Sequence, residues 1–213
     1  MAEKFTSFKK GSVSGFLHEP VQVPTDALVL THGAGGNATA PLLVAIASTF
    51  CAAGWTVLRC DLPFRQKRPF GPPSPATAAQ DRAGLRDAVA ILRDRVPGAV
   101  VLGGHSYGGR QSSMLAAESS DLADALILLS YPLIPPRKPA QPRTAHFPAL
   151  RTPALFVHGT KDPFGSVDEL RTALQLIPAR TELLIADAAG HDLGRGAKDL
   201  ANSILPRLAD LLR

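Results

Sequence analysis

One serine in this chain sits where nucleophilic chemistry could be done. Gly104-His105-Ser106-Tyr107-Gly108 joins an apolar, partly β-branched run, Ala99-Val100-Val101-Leu102-Gly103, to a run of helical character, Gly109 to Glu118. A buried strand and a helix joined by so tight a turn hold the middle residue in a strained backbone conformation, and the small residues flanking it let strand and helix approach. The strain lifts Ser106 Oγ clear of the sheet, and the helix N-terminus behind it favours negative charge. Gly-x-Ser-x-Gly also recurs by accident in Gly- and Ser-rich loops. The strand before it and the helix after it single this copy out from a plain tight turn.

A serine hydroxyl needs a base, an acid to orient the base, and donors for an oxyanion. Asp162, in His158-Gly159-Thr160-Lys161-Asp162-Pro163, follows a strand-like run and would hold an imidazole in the right tautomer. The same residues could instead form an Asp-Pro turn with a capping carboxylate. His191, in Asp187-Ala188-Ala189-Gly190-His191-Asp192, follows the last strand-like run. It would take the Ser106 proton and later give it to the leaving group. Asp187 and Asp192 lie so near His191 in the chain that local turn roles suit them better. Tyr107 would offer one oxyanion N–H, and Ala34, in Thr31-His32-Gly33-Ala34-Gly35-Gly36-Asn37, the other. A phosphate loop is the rival reading of those glycines, but no Lys-Ser/Thr follows them and G-x-G-x-x-G spacing is missing. His105 and His158, embedded in strand–turn motifs, read as packing or supporting residues; His18 and His146 have no motif around them. No His, Cys and Asp residues fall at metal-ligand spacing, so neither a catalytic metal nor a cofactor is expected.

The elements that must position these residues alternate along the chain. Strand-like runs are Asp26–Thr31, Thr56–Cys60, Ala99–Gly103, Ala125–Leu129, Ala154–His158 and Glu182–Ala186. Between them lie helical patterns. Pro41–Ala53 has Pro41 near its first turn and Gly54 as its stop. Another carries Leu85, Ala88, Val89, Leu92 and Val96 on one face, behind a capping-box pattern at Thr77–Gln80. Ser166–Glu169 is a second capping-box pattern, and it opens a helix with Leu170, Ala173, Leu174 and Ile177 inward. A C-terminal helix carries Leu200, Ile204, Leu208 and Leu211, with Pro206 expected to kink it or reset its start. Strands apolar on both faces, alternating with amphipathic helices, predict an α/β fold: a mainly parallel central sheet with helices on both faces. Two proline-rich stretches without periodicity, Asp61–Pro75 and Tyr131–Pro153, follow strands and should overhang the carboxyl edge of the sheet, where such folds place their sites.

At 213 residues, 45% apolar and 19% charged, the chain is expected to form a single domain, residues 1–213, with a sizeable core. The net charge of +5 is scattered along the sequence, so nucleic acid is not an expected partner. Cys51 and Cys60 are too few for a disulfide framework and read as small core residues. There is no signal-like N-terminus and no apolar stretch long enough to span a membrane, which makes the cytoplasm the default location. The sequence leaves the oligomeric state open.

The order His32-Gly33-x-Gly35, Gly104-x-Ser106-x-Gly108, Asp162, His191 resembles the α/β-hydrolase superfamily along nearly the whole chain. Gly104-His105-Ser106-Tyr107-Gly108-Gly109-Arg110-Gln111-Ser112-Ser113 and His158-Gly159-Thr160-Lys161-Asp162-Pro163-Phe164-Gly165 look like one branch of it. That branch holds small hydrolase-like proteins related to testis-expressed protein 30 and to subunit 3 of the non-specific-lethal histone acetyltransferase complex. Dienelactone hydrolases are similar in size but use cysteine where this chain has Ser106. The resemblance implies the α/β-hydrolase fold, with minimal or no cap domain, and a Ser106–Asp162–His191 site acting on a small-molecule ester or thioester through an acyl-enzyme. An interaction module without turnover, and acyl transfer or peptidase action on the same site, are the alternatives. Arg65, Lys67, Arg68, Arg110, Arg137 and Lys138 would suit an anionic substrate if they face the site; such residues are more often simply solvated.

Overall fold

The structure is a computed structural model and describes residues 5–135, 141–194 and 197–213. Eight strands make one sheet: β1 (Phe5–Lys10), β2 (Val13–His18), β3 (Ala27–Thr31), β4 (Thr56–Asp61), β5 (Val100–His105), β6 (Ala125–Leu129), β7 (Ala154–Gly159) and β8 (Thr181–Ala186). Their spatial order is β1-β2-β4-β3-β5-β6-β7-β8. Strands β3 to β8 are mutually parallel, and β2 pairs antiparallel with both β1 and β4. The mainly parallel sheet read from the sequence is therefore what forms.

The strands alternate their side chains between two helical layers, as the two-residue period of a strand requires. Leu28 and Leu30 of β3, with Ile127 and Leu129 of β6, meet Leu43, Ile46 and Phe50 of α1 (Pro41–Ala52) and Ile204 and Leu208 of α6 (Ala197–Leu211). Val29, Leu102, Leu126 and Phe156 face the opposite way, onto Leu85 and Leu92 of α3 (Ala78–Arg93), Leu115 of α4 (Tyr107–Glu118) and Leu170 of α5 (Val167–Leu174). No cap domain covers the sheet edge among the described residues.

Several local expectations need correction. The N-terminal hairpin β1–β2 forms without a strong apolar pattern in its sequence and is an addition to the expected strands. Its turn uses Gly11 at φ +57°, and Gly15 lies so close to β4 that a Cβ there would meet the Arg59 carbonyl. Asp61–Pro75 is not wholly irregular, because Pro63–Lys67 forms a short helix, α2, and a 3-10 turn runs over Pro75–Thr77. Thr77 does not cap α3: Ser74 Oγ accepts the Ala76 N–H one turn earlier, and Thr77 Oγ1 donates to the Ser74 carbonyl. The Ser166–Glu169 capping box does form, with side chain and backbone paired in both directions. Pro206 does not reset the start of α6; it lies inside the helix. Cys60 is buried, and burial pushes its thiol up to about 12. Arg137 and Lys138 lie outside the described residues.

What matters for a site is the switch in strand order. From β3 the chain first adds β4 on one side, then crosses back to lay β5 on the other. Loops leaving β3 and β5 therefore diverge and open a crevice between them at the carboxyl edge. The glycine-rich loop and the Ser106 turn are those two loops.

Candidate active site

Ser106 sits between β5 and α4 with φ +51° and ψ −113°, a conformation that costs energy in any residue with a Cβ. Packing maintains it. The Ser106 N–H donates to the Leu129 carbonyl at 2.8 Å, which ties the turn to β6. A Cβ at Gly104 would come within 2.7 Å of Gly108 C, and one at Gly108 within 2.5 Å of the His32 carbonyl. Both flanking glycines are therefore required by backbone-to-backbone approach.

The structure brings Ser106, His191 and Asp162 into one chain of hydrogen bonds. Ser106 Oγ lies 2.8 Å from His191 Nε2. His191 Nδ1 lies 2.8 Å from Asp162 Oδ2 and 3.0 Å from Oδ1. A carboxylate only accepts, so the proton is on Nδ1 and the Nε2 lone pair faces the serine hydroxyl. Burial pushes the Asp162 carboxyl pKa up, but the hydrogen bonds from His191 and the Phe164 N–H outweigh it, and the group stays below its ordinary value. Asp187 accepts from the Ala188 N–H and Asp192 from the Gly194 N–H, so both serve their own turns.

The loop carrying His191 is held from three directions. Its backbone crosses the end of β7 at Gly159, where the Lys161 N–H donates to the Ala189 carbonyl at 2.8 Å. Ala188 has φ +55° and Leu193 φ +58°, so the loop turns sharply on both sides of the imidazole. His105 Nε2–H donates to the His191 carbonyl at 2.7 Å. Burial keeps His105 below the ordinary imidazole pKa and hence neutral. The Phe164 ring packs 4.3 Å from the His191 ring. His158, fully buried, donates from Nε2 to the Gly165 carbonyl at 2.7 Å and supports the segment that carries Asp162. Both histidines are in the supporting positions expected of them.

The glycine-rich loop after β3 abuts the serine turn. A methyl at Gly33 would lie 3.3 Å from Ser106 Cβ and 2.9 Å from His105 Nδ1. Buried His32 bridges two loops: its Nδ1–H donates to the Gly33 carbonyl at 2.8 Å, and its Nε2 accepts the Leu62 N–H at 3.1 Å. Burial lowers its pKa, consistent with this neutral tautomer. The residue that sequence reasoning misplaced is Arg65. Expected either to suit an anionic substrate or to be solvated, its guanidinium instead donates to the Ala34 carbonyl at 2.6 Å, the Gly36 carbonyl at 2.8 Å and the Gly71 carbonyl at 3.1 Å. Lys67 and Arg68 are also occupied, by Gln80 and the Pro72 carbonyl. Tyr107 turns its side chain away to donate to buried Asp81 at 2.7 Å, leaving its backbone at the crevice floor.

Two cavities meet at Ser106. One, of about 560 Å³, is walled by Gly33 to Gly36, Pro41, Leu42, Leu43 and His191. The other, of about 730 Å³, lies over α4, and Ala34, Ser106 and Phe164 are common to both. A Ser–His–Asp arrangement opening into such space can split acyl compounds in two steps.

Residues 24–203 match a family described as an alpha/beta hydrolase domain. Among solved structures, a dienelactone hydrolase from Anabaena variabilis superposes at TM-score 0.77 and 20% identity, over 100% of this chain and 99% of that one. Est1E from Butyrivibrio proteoclasticus matches at TM-score 0.74 and 16% identity, over 98% of each chain. XC6422 from Xanthomonas campestris, described as a serine hydrolase without lid, matches at TM-score 0.73 and 17% identity, over 98% of this chain and 94% of that one.

Proposed function

Because the chain belongs to the alpha/beta hydrolase family, we propose that it is a serine hydrolase that cleaves an ester or thioester of a small molecule through an acyl-enzyme. The observation that carries this reading is the continuous run from Ser106 Oγ through His191 to Asp162, each step at hydrogen-bond distance. Ser106 Oγ attacks the carbonyl carbon while its proton passes to His191 Nε2. Asp162 accepts from Nδ1–H and stabilises the imidazolium that results. Collapse of the tetrahedral adduct breaks the bond to the alkoxide or thiolate, which leaves with the proton from Nε2. Water then repeats the sequence and releases the acid.

The backbone N–H groups of Tyr107 and Ala34 are the donors for the oxyanion. Tyr107 is the first residue of α4, so its N–H has no acceptor within the helix. The Gly33 carbonyl is held by His32 Nδ1–H and, at 3.1 Å, by the Gly36 N–H. In a trans peptide the N–H points opposite to the carbonyl, so Ala34 N–H is turned away from these partners. Ala34 lines both cavities at Ser106. Donors fixed before reaction are worth most, and Arg65 is the clamp that fixes this loop.

Within the family, we read the chain as akin to the small proteins related to testis-expressed protein 30 and to the non-specific-lethal complex subunit, a reading supported by the motifs at residues 104–113 and 158–165. An assembled serine, base and acid favour turnover over a bare interaction role. The test is a fluorophosphonate probe with a panel of short-chain esters. Labelling at Ser106, and its loss with ester turnover in Ser106→Ala, is expected; an unlabelled Ser106, or an alanine variant that still hydrolyses the panel, rejects the reading.

A further inference from the structure

The larger cavity beside Ser106 is rich in donors and poor in acceptors. Arg82, Arg110, Gln111 and Arg143 all line it, and no Asp or Glu does so among the described residues. The three arginines are not alike. Arg82 is committed: it pairs with Glu118 at 3.0 Å and donates to Gln111 Oε1 at 3.0 Å. Arg110 and Arg143 form no ion pair among the described residues. Arg110 Nε is buried without an acceptor, and so is Nε2 of Gln111, a residue with no exposed surface. Buried donors are rarely left unpaired, so each calls for an explanation.

These two guanidiniums, which lack an acidic partner among the described residues, are near enough to repel. Burial lowers the Arg143 pKa, and the charge of Arg110 lowers it further. Burial and the same Arg110 charge push His146 down to about 4. The neighbouring sequence adds little acid: Leu62–Gln80 and Tyr131–Pro153 contain no Asp or Glu, and Asp81, which follows the first, is engaged by the Tyr107 hydroxyl and the Phe64 N–H. Arg143 is held in place by donation to the Pro132 carbonyl at 3.1 Å. Arg110 is one helical turn beyond Ser106, and its N–H donates to the Ser106 carbonyl at 2.9 Å. Arg110 and Arg143 line the same cavity as Ser106, so charge without an acidic partner borders the space beside that serine.

We propose that this cavity binds a carboxylate carried by the substrate, through Arg110 and Arg143, and thereby selects acidic esters or thioesters. The inference rests on Ser106 being the nucleophile, since it is the shared wall at Ser106 that makes the cavity a substrate site. A guanidinium pair presents planar N–H forks matched to a carboxylate, and a bound anion would relieve the repulsion between them. The cavity over Leu42 and Leu43 would then take the uncharged end of the same molecule.

The experiment compares kcat/KM for paired acidic and neutral esters: mono-4-nitrophenyl glutarate against 4-nitrophenyl butyrate, and 4-acetoxybenzoate against its methyl ester. One pair places the carboxylate on the acyl side and the other on the leaving group. In at least one pair the acidic ester is favoured by about tenfold or more, as charge-assisted bonds of this kind supply. That ratio falls to near unity in Arg110→Met/Arg143→Met and persists in Arg151→Gln, which removes an exposed charge elsewhere. No preference in either pair, or a preference that survives the double variant, overturns the proposal. Should the double variant fail to fold, inhibition of the parent enzyme by glutarate but not glutaramide supports the site, and equal or absent inhibition overturns it. Calorimetry of glutarate with Ser106→Ala separates the two readings. Binding there, with no ester turned over by the parent, keeps the anion site and removes the hydrolase; neutral-ester turnover without glutarate binding does the reverse.

Discussion

Gly159→Ala tests whether the approach between β7 and the His191 loop sets the rate. Gly159 ends β7 in ordinary strand conformation, so a methyl there adds contact and little backbone strain. That methyl would lie 2.3 Å from the Ala189 carbonyl oxygen and 2.7 Å from the Gly190 carbonyl oxygen, where ordinary contact begins at 3.4 Å. Both atoms are backbone and cannot swing away, so the loop must retreat by about 1 Å. His191 is the next residue along. Its Nε2 now stands 2.8 Å from Ser106 Oγ, and opening that gap by about 1 Å takes it outside hydrogen-bond range. A displacement of this size costs about 100-fold in rate, close to 3 kcal/mol at the transition state. Overpacking should also lower stability by about 1–3 kcal/mol.

The assay is kcat/KM on a short-chain ester, the rate of fluorophosphonate labelling at Ser106, and a urea melt to establish that the variant is folded. Both rates should fall together, because each depends on His191 drawing the proton from Ser106. A folded Gly159→Ala enzyme within about threefold of its parent would refute the reasoning, since it would show that the imidazole tolerates a displaced loop.

Arg65→Met frees the carbonyls of Ala34 and Gly36, so ester turnover should drop about tenfold with a smaller change in KM, and unfolding stability by about 2 kcal/mol, read by steady-state kinetics and urea denaturation. His146 is held down to about 4 in the folded chain against an ordinary value of 6.5, so the unfolded chain binds the extra proton between those values. Its contribution is therefore absent above pH 6.5, destabilises increasingly as pH falls, and is complete below about 4; allowing for its partial exposure, this amounts to roughly 2 kcal/mol. His146→Gln should flatten that part of the stability profile in urea melts at successive pH values, and a variant whose profile still parallels the parent would count against the assignment.

Legibility followed how local each signal was. Ser106, Asp162 and His191 each sit in a short motif in the turn or loop after a strand, so type and spacing alone single out three residues that the fold brings within hydrogen-bond distance. Strands β3 to β7 were readable because they are buried along their length and mostly apolar, and the edge strand β8 because of its Leu183-Leu184-Ile185 run. β1 and β2 were not, because β1 is a largely exposed edge and β2 is interrupted by Ser14 and Gly15. Arg65 misled for a related reason. Nothing in the composition of a proline-rich loop tells a solvated arginine from one that reaches back across 31 residues to the Ala34 carbonyl. The arginine cavity likewise draws on α3, α4 and the segment after β6, and only the folded chain brings these together.

The histidines around Ser106 show why burial belongs to the chemistry as well as to the core. His105 and His191 have ring centroids 5.2 Å apart. Were both charged at once, their repulsion would cost about 3 kcal/mol at an effective dielectric near 20, and the imidazolium proposed for His191 would be opposed by that amount. His105 avoids this in two ways. Its Nε2–H is committed to the His191 carbonyl, and burial disfavours a second proton. His32, on the other side of the serine turn, is likewise kept neutral by burial, with its lone pair occupied by the Leu62 N–H. Asp162 is thus left as the charge to which His191 responds most closely, at 2.8 Å. The burial that fixes the position of the His191 loop also keeps its two neighbouring imidazoles uncharged.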